Sequence, residues 1–243
     1  MIDQLITVLI PTSLTPSCPN PYLIDTAVRT VRHHLPEAKI SIYADGLRDD
    51  VDRKTMVTYS GYCTELMGRY DNAQVTVFME SVNQVGMLEY WLKTVTTPLV
   101  LYLEHDFEVM KDEIEWDSIA EKILDGTYNY IKLSGMHRIP PEHEHLMHAR
   151  KRYGPGDHRD FCVIETTQFS TWPHVASVHW YKRMYDTYLS DRRGQMIEPM
   201  LYSVFCSAPW TNGRMAIYNP TQHAMMRVQH LDGARWLPSA ISA

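Results

Sequence analysis

The chain has 243 residues, 44% of them hydrophobic, with 29 acidic and 23 basic side chains for a formal charge of −6. Such a composition excludes disorder, collagen-like repeats and coiled coil, and supplies one large domain with a substantial core. The acidic balance excludes coating of nucleic acid by bulk charge but leaves room for a local basic face. Cys18, Cys63, Cys162 and Cys206 stand singly, with no C-x-x-C pair, and read as free thiols of a reducing compartment. Met1-Ile2-Asp3 offers no basic region, and the apolar run behind it stops at Pro11. Neither signal peptide nor membrane span is expected, and the predicted location is cytoplasmic.

Residues 5–10 form a continuous β-branched apolar run, the pattern of a strand buried on both faces of a parallel sheet. Prolines 11, 16, 19 and 21 stiffen the next loop. Leu23, Ala27, Val31 and Leu35 fall four apart and predict a helix over 22–35, ended by Pro36. A second strand is expected at 39–44, closed by Asp45-Gly46, then a helix over 50–70 and a strand at 75–79. Residues 83–94 predict a helix, 99–103 a fourth strand, 116–125 a short helix, and 128–133 another strand. This alternation predicts an α/β fold with an open, mostly parallel sheet flanked by helices in a single domain. Ligands of such sheets bind at the carboxyl ends of the strands, where Asp45 and Glu104-His105-Asp106 fall.

The alternation breaks over 137–160, which holds Pro140-Pro141, Gly154-Pro155-Gly156, five histidines and Arg150-Lys151-Arg152, and predicts a long loop. A strand over 161–169, a helix from about 174, and a last helix carrying Met200, Leu201, Val204 and Phe205 complete the order. Glu198-Pro199 marks the start of that last helix, with Glu198 at or near its cap.

Glu104-His105-Asp106 carries two carboxylates off the end of an apolar strand. Hard oxygen ligands there suit Mg²⁺ or Mn²⁺, and such a cation can hold a diphosphate. The alternative is an acidic strand end, continued by Glu108, Asp112, Glu113, Glu115 and Asp117.

Four motifs in order add to this pattern: Ile6-Thr-Val-Leu-Ile-Pro-Thr12, Asp45-Gly46, Asn83-Gln-Val-Gly86, and Leu99-Val-Leu-Tyr-Leu-Glu-His-Asp106. Together they resemble the GT-A fold, family-2-like nucleotide-sugar glycosyltransferases, over roughly the first half of the chain. The resemblance implies a nucleotide-sugar half over about 1–110 and an acceptor half over about 111–243. It implies that Pro11 and Thr12 line the nucleotide base, that Asp45 hydrogen-bonds base or ribose, and that Asn83 and Gly86 belong to the donor site. Asp106 would ligate Mn²⁺ or Mg²⁺, with Glu104, a departure from the usual aspartate, contacting ribose, sugar or metal-bound water. Glu198 resembles the late carboxylate that serves as general base in inverting members, and His230 resembles a C-terminal histidine that completes the metal shell. The implied activity is hexosyl or pentosyl transfer, with inversion, from a UDP-sugar to a hydroxyl acceptor.

Residues 167–176 cluster polar groups around Trp172, and Gln168, Ser170, Trp172 and His174 are the candidates for acceptor contacts, helix capping by Ser170 or Thr171 being the alternative. The 137–160 loop admits a zinc site at His143, His145 and His148, a basic lid of Arg150, Lys151, Arg152 and Arg159, or a solvated surface. A sugar nucleotidyltransferase would need a Gly-rich loop after the first strand, which residues 12–21 lack; an inactive GT-A-like binding module is a further alternative. In overall character the chain also resembles phage enzymes that glycosylate hydroxymethylated pyrimidines in DNA, with Trp172 or Trp210 available for base stacking. Residues 104–117 hold seven acids and one base, so the whole surplus charge lies at the proposed metal segment and the remainder is balanced.

Overall fold

The computed structural model of the chain describes residues 2–15, 18–111, 113–135, 139, 141–153, 161–207, 213–218 and 226–231. Strand β1 (Ile6–Thr12) is buried along its whole length, because helices cover both faces of the sheet. Its side chains alternate: Ile6, Val8 and Ile10 pack under α1 (Pro21–His34) and α2 (Arg53–Arg69), while Leu9 faces the opposite layer with α3 (Asn83–Thr94). Helix α1 starts at Asn20, whose side chain accepts from the Tyr22 N–H, with Pro21 in the first turn; Asp52 caps α2 in the same way through Lys54 and Thr55.

After β2 (Lys39–Ala44), β3 (Ala73–Val77) and β4 (Leu99–Tyr102) come a short β5 (Phe107–Val109), α4 (Trp116–Leu124) and β6 (Tyr130–Leu133). The second half adds β7 (Met147–Tyr153), β8 (Phe161–Thr166), β9 (His174–Ser177), α5 (Val178–Met184), α6 (Ile197–Ser207), β10 (Met215–Tyr218) and β11 (Val228–His230). Among the described residues nine strands form one sheet in the order β3-β2-β1-β4-β9-β6-β10-β8-β7, and β11 pairs with β5 apart from it. Within the large sheet only β8 and β9 run against the common direction. The mostly parallel α/β architecture expected from the sequence is present. Helices α1, α2 and α4 fill one face; α3, α5 and α6 fill the other.

Three local expectations are corrected. Residues 147–153 are an edge strand rather than loop; its exposed Arg150 and Lys151 are residues that discourage pairing with a second chain. Residues 174–177 are a strand rather than the first turn of a helix, because Val175 and Ala176 fill the gap between β4 and β6. The strand expected over 161–169 ends at Thr166, opposite the first residue of β10, which frees 167–173 to return to the carboxyl edge, where His174 pairs with Tyr102. Arg159, Trp210 and Asp112 lie outside the described residues, as does the side chain of Arg152.

Candidate active site

Two cavities open at the strand ends. The first, of about 400 Å³, is lined by Pro11 and Thr12 at the end of β1, Asp45 after β2, Asn83 at the start of α3, and Glu104 and Asp106 after β4. Three strands aligned in parallel deliver these residues to one edge, the consequence of the β1, β2 and β4 pairing.

Asp45 is 6% exposed and its carboxylate is consumed by the backbone around it. Oδ1 accepts from the N–H groups of Gly46 (3.0 Å), Val82 (2.8 Å) and Asn83 (3.2 Å), and Oδ2 from Ser81 Oγ (3.1 Å). Helix α3 has no side-chain cap of its own, so a carboxylate from the neighbouring strand end caps it. Asp45 thus borders the cavity while acting as the clamp of its wall. Asn83, at a φ of 54°, turns its Oδ1 back to the Gln84 N–H at 2.8 Å. Gly86 does not reach the cavity: it is buried in α3, and a Cβ there would sit 2.5 Å from Val82 Cβ, so its place is one of helix packing.

Asp106 and His230 are 124 residues apart in sequence and meet because β11 pairs with β5 directly after the acidic triplet. His230 Nε2 donates to Asp106 Oδ2 at 2.9 Å, and the Leu231 N–H closes onto the Asp106 carbonyl at 2.6 Å. Burial alone would push Asp106 up, but the His230 hydrogen bond and the neighbouring His105 and His230 hold its carboxyl below the ordinary value. Its Oδ1 is buried and has no hydrogen-bond partner among the described residues. Glu104 accepts from Gln84 Nε2 at 2.9 Å. Burial first, and then the nearby Asp106 and Glu198, push its carboxyl up to about 8. His105, between the two acids, turns into the protein and is 5% exposed.

The second cavity, of about 380 Å³, is lined by Gln168, Ser170, Trp172 and Glu198, together with Lys132 and Tyr202. Helix α6 begins at Ile197, one residue ahead of Glu198, and the Ile197 N–H is held by Gln84 Oε1 at 3.1 Å. Glu198 points away from its own helix. Its Oε2 accepts from the Thr171 N–H (3.0 Å), Thr171 Oγ1 (3.2 Å) and Ser170 Oγ (3.5 Å). Gln84 therefore joins Glu104 of the first cavity to the Ile197 N–H, one residue before Glu198 of the second. The Trp172 ring lies between them and the acid–histidine pair, edge-on to Phe107 at 5.3 Å and 6.4 Å from the His230 ring. Gly135 permits this placement, because a Cβ there would fall 2.2 Å from Trp172 Cζ3.

His174 is the clearest correction among the acceptor candidates. It is 0% exposed and belongs to the core, with Nδ1 2.7 Å from the Trp172 carbonyl and Nε2 2.6 Å from the Tyr181 hydroxyl. A carbonyl only accepts, so Nδ1 carries the proton and Tyr181 donates to Nε2. Burial pushes its pKa down to about 3, and the ring is neutral. Gln84, Thr171 and Lys132 escaped sequence reasoning: a glutamine inside a helix, a threonine beside a tryptophan and a lysine in a strand carry no local signature. Among the described residues no three His, Cys, Asp or Glu side chains cluster as a metal site, which includes His143, His145 and His148. Arg150, a candidate lid residue, has its Nη1 3.8 Å from Cys162 Sγ on the adjacent strand.

No known family model matches the sequence, and no curated protein matches it. Solved structures match it in shape. S. aureus TarS 1–349 superposes with a TM-score of 0.54 at 12% identity, over 92% of this chain and 59% of that one. The same protein in complex with UDP-GlcNAc gives 0.53 at 13% identity, over 92% and 57%. GalNAc-T7 with UDP, GalNAc and Mn²⁺ gives 0.56 at 10% identity, over 93% and 44%. The chain spans less than two thirds of the length of each. It has the GT-A glycosyltransferase fold.

Proposed function

We propose that the protein transfers a sugar from a nucleotide diphosphate, a UDP-sugar, to a hydroxyl acceptor, with inversion. The observation that carries this reading is the pairing of two cavities across one wall, with the Asp106–His230 pair at the first and the Glu198 carboxylate at the second. GalNAc-T7 was crystallised with UDP and Mn²⁺, and TarS with UDP-GlcNAc, which supports a nucleotide in the first cavity. The residues present fit a divalent cation: Asp106 offers a buried oxygen with no partner among the described residues, and His230 adjoins it. Mg²⁺ and Mn²⁺ commonly take one or two protein ligands and complete their shell with phosphate oxygens and water. Such an ion, when bound, neutralises charge on the departing diphosphate.

The protein's own groups perform the rest. Pro11, Thr12 and Asn83 border the space for base and ribose, and Asp45 keeps the α3 end in place. Glu104, held by Gln84, faces the donor sugar as a hydrogen-bonding group. Glu198 takes the proton from the acceptor hydroxyl as that oxygen bonds to the anomeric carbon and the bond from that carbon to the diphosphate breaks. Attack from the second cavity on a leaving group in the first favours inversion. Trp172 supplies an apolar face for the acceptor, with Gln168 and Ser170 at its edge.

The test is a donor panel. With Mn²⁺ or Mg²⁺ present, UDP-sugars are expected to raise the melting temperature and to be slowly hydrolysed, and EDTA to remove both effects. No metal-dependent response to any nucleotide sugar refutes the reading. Hydroxymethylated DNA serves as one acceptor arm: a DNA acceptor requires turnover that falls steeply with salt, and salt-insensitive turnover excludes it. No helix among the described residues is long and apolar enough to cross a membrane.

A further inference from the structure

The transfer chemistry leaves one charged group of the second cavity without a task. Lys132 sits on β6, between Ile131 and Leu133, paired in register with His174 on one side and Ile217 on the other. A lysine in the interior of a nine-stranded sheet is costly to desolvate, and among the described residues no carboxylate lies within ion-pair distance of its ammonium. Among the described residues its Nζ has one hydrogen-bonding neighbour, Gln168 Oε1, at the long distance of 3.5 Å. Two of its three N–H donors are thus left to whatever occupies the cavity. Burial pushes Lys132 down to about 8, against the opposing pull of Glu198, so the group is still largely charged at neutral pH. Trp172, Met147, Ile139 and Ile217 give the cavity an apolar wall, and Ser134, His143, Ser170 and Glu198 give it a polar one.

We propose that the second cavity takes an acceptor with an apolar body and an anionic oxygen, carboxylate or phosphate, and that Lys132 and Gln168 bind that oxygen. A charge-assisted bond to an anion is about twice as strong as one to a neutral oxygen. Glu198 repels the anion, which orients the molecule with its charged end on β6 and its hydroxyl toward α6. That last step rests on the glycosyl-transfer reading; the anion site does not. A volume of about 380 Å³ holds a single substituted ring.

The probes are benzoate, phenyl phosphate and neutral benzamide, titrated by calorimetry, with UDP and Mn²⁺ titrated separately. At least one anion is expected to bind tenfold or more tighter than benzamide, and the tighter of the two identifies carboxylate or phosphate as the preferred group. Lys132→Met and Lys132→Gln are expected to erase the preference, with the melting temperature reporting that each variant is folded. Equal binding of all three probes to the wild-type protein, binding of none, or a preference that survives in either variant overturns the proposal. If UDP binds but the anions show no preference, the anion site falls and the transfer reading stands. If the preference is present and UDP fails to bind, the transfer reading falls instead.

Discussion

Replacing Asp45 by alanine separates two roles, because the sequence resemblance assigns this carboxylate to the nucleotide and the structure shows it spent on the protein. Alanine removes the acceptor for the Val82 and Asn83 N–H groups at the start of α3. Val82 is 5% exposed, so its N–H is left buried and unpaired, whereas Asn83 borders the cavity and water can replace the lost bond. One orphaned buried donor costs about 1–3 kcal/mol, and losing a negative charge at a helix N-terminus adds roughly 0.3–1 kcal/mol. A sum of about 1–4 kcal/mol lowers the melting temperature by roughly 3–16 °C in a chain of this size. Asp45→Asn keeps one oxygen in place for both N–H groups and is expected to cost about 1 kcal/mol. The assay is thermal unfolding with and without UDP and Mn²⁺. The reasoning predicts that UDP affinity falls only in step with stability, and that asparagine restores both. An alanine variant that melts within about 2 °C of wild type yet loses UDP affinity tenfold would refute it and make Asp45 a ligand contact.

Glu198→Gln retains an oxygen for the Thr171 N–H but cannot take a proton; kcat is expected to fall by about 10²–10⁴ with donor affinity within twofold, and unchanged kcat removes Glu198 as base. Asp106→Asn and His230→Ala should each abolish the extra stabilisation that Mn²⁺ gives to the UDP complex, while a retained Mn²⁺ increment places the cation elsewhere. Gly135→Ala drives a methyl group into the Trp172 ring and should shift tryptophan emission at a cost of about 1–3 kcal/mol; an unchanged spectrum argues against the contact. His174 has its pKa lowered from 6.5 to about 3, so between these values the unfolded chain binds a proton that the folded one does not. Stability attributable to it is therefore full above pH 6.5 and falls by up to about 1.4 kcal/mol per pH unit toward pH 3. Urea titrations of wild type and His174→Gln at pH 7 and pH 5 should converge at the lower pH, and parallel curves would show the ring to be charged in the core.

The first half of the fold was legible because each element carries its own period. Residues 39–44 and 83–94 appear with the boundaries that alternation and helical spacing imply. The second half was opaque for reasons that lie in tertiary structure. His174-Val-Ala-Ser177 has the apolar spacing of a helix start, yet it inserts antiparallel between β4 and β6, and burial of Val175 and Ala176 on opposite layers outweighs local preference. Met147-His-Ala-Arg-Lys-Arg-Tyr153 reads as loop because an edge strand facing solvent need not alternate apolar and polar residues.

The site divides along the same line, which bears on how its chemistry is encoded. Pro11 lies at the end of β1, Asp45 follows β2, and Glu104 and Asp106 follow β4, so their convergence comes from parallel pairing and is open to anyone who orders the strands. What joins them cannot be found that way. Gln84 spans from the Glu104 carboxylate to the Ile197 N–H, and Thr171 holds Glu198 through its N–H and hydroxyl, so the two acids are positioned by residues whose types are unremarkable in a helix and a loop. His230 reaches Asp106 only because three residues of β11 pair with β5. In strand parity Lys132 belongs to the layer of Tyr130 and Val175's neighbour His174, a buried aromatic layer where a charge is costly without a partner. The charge is tolerated there because Lys132 is only half-buried and opens into the second cavity, where water or a bound anion can meet it.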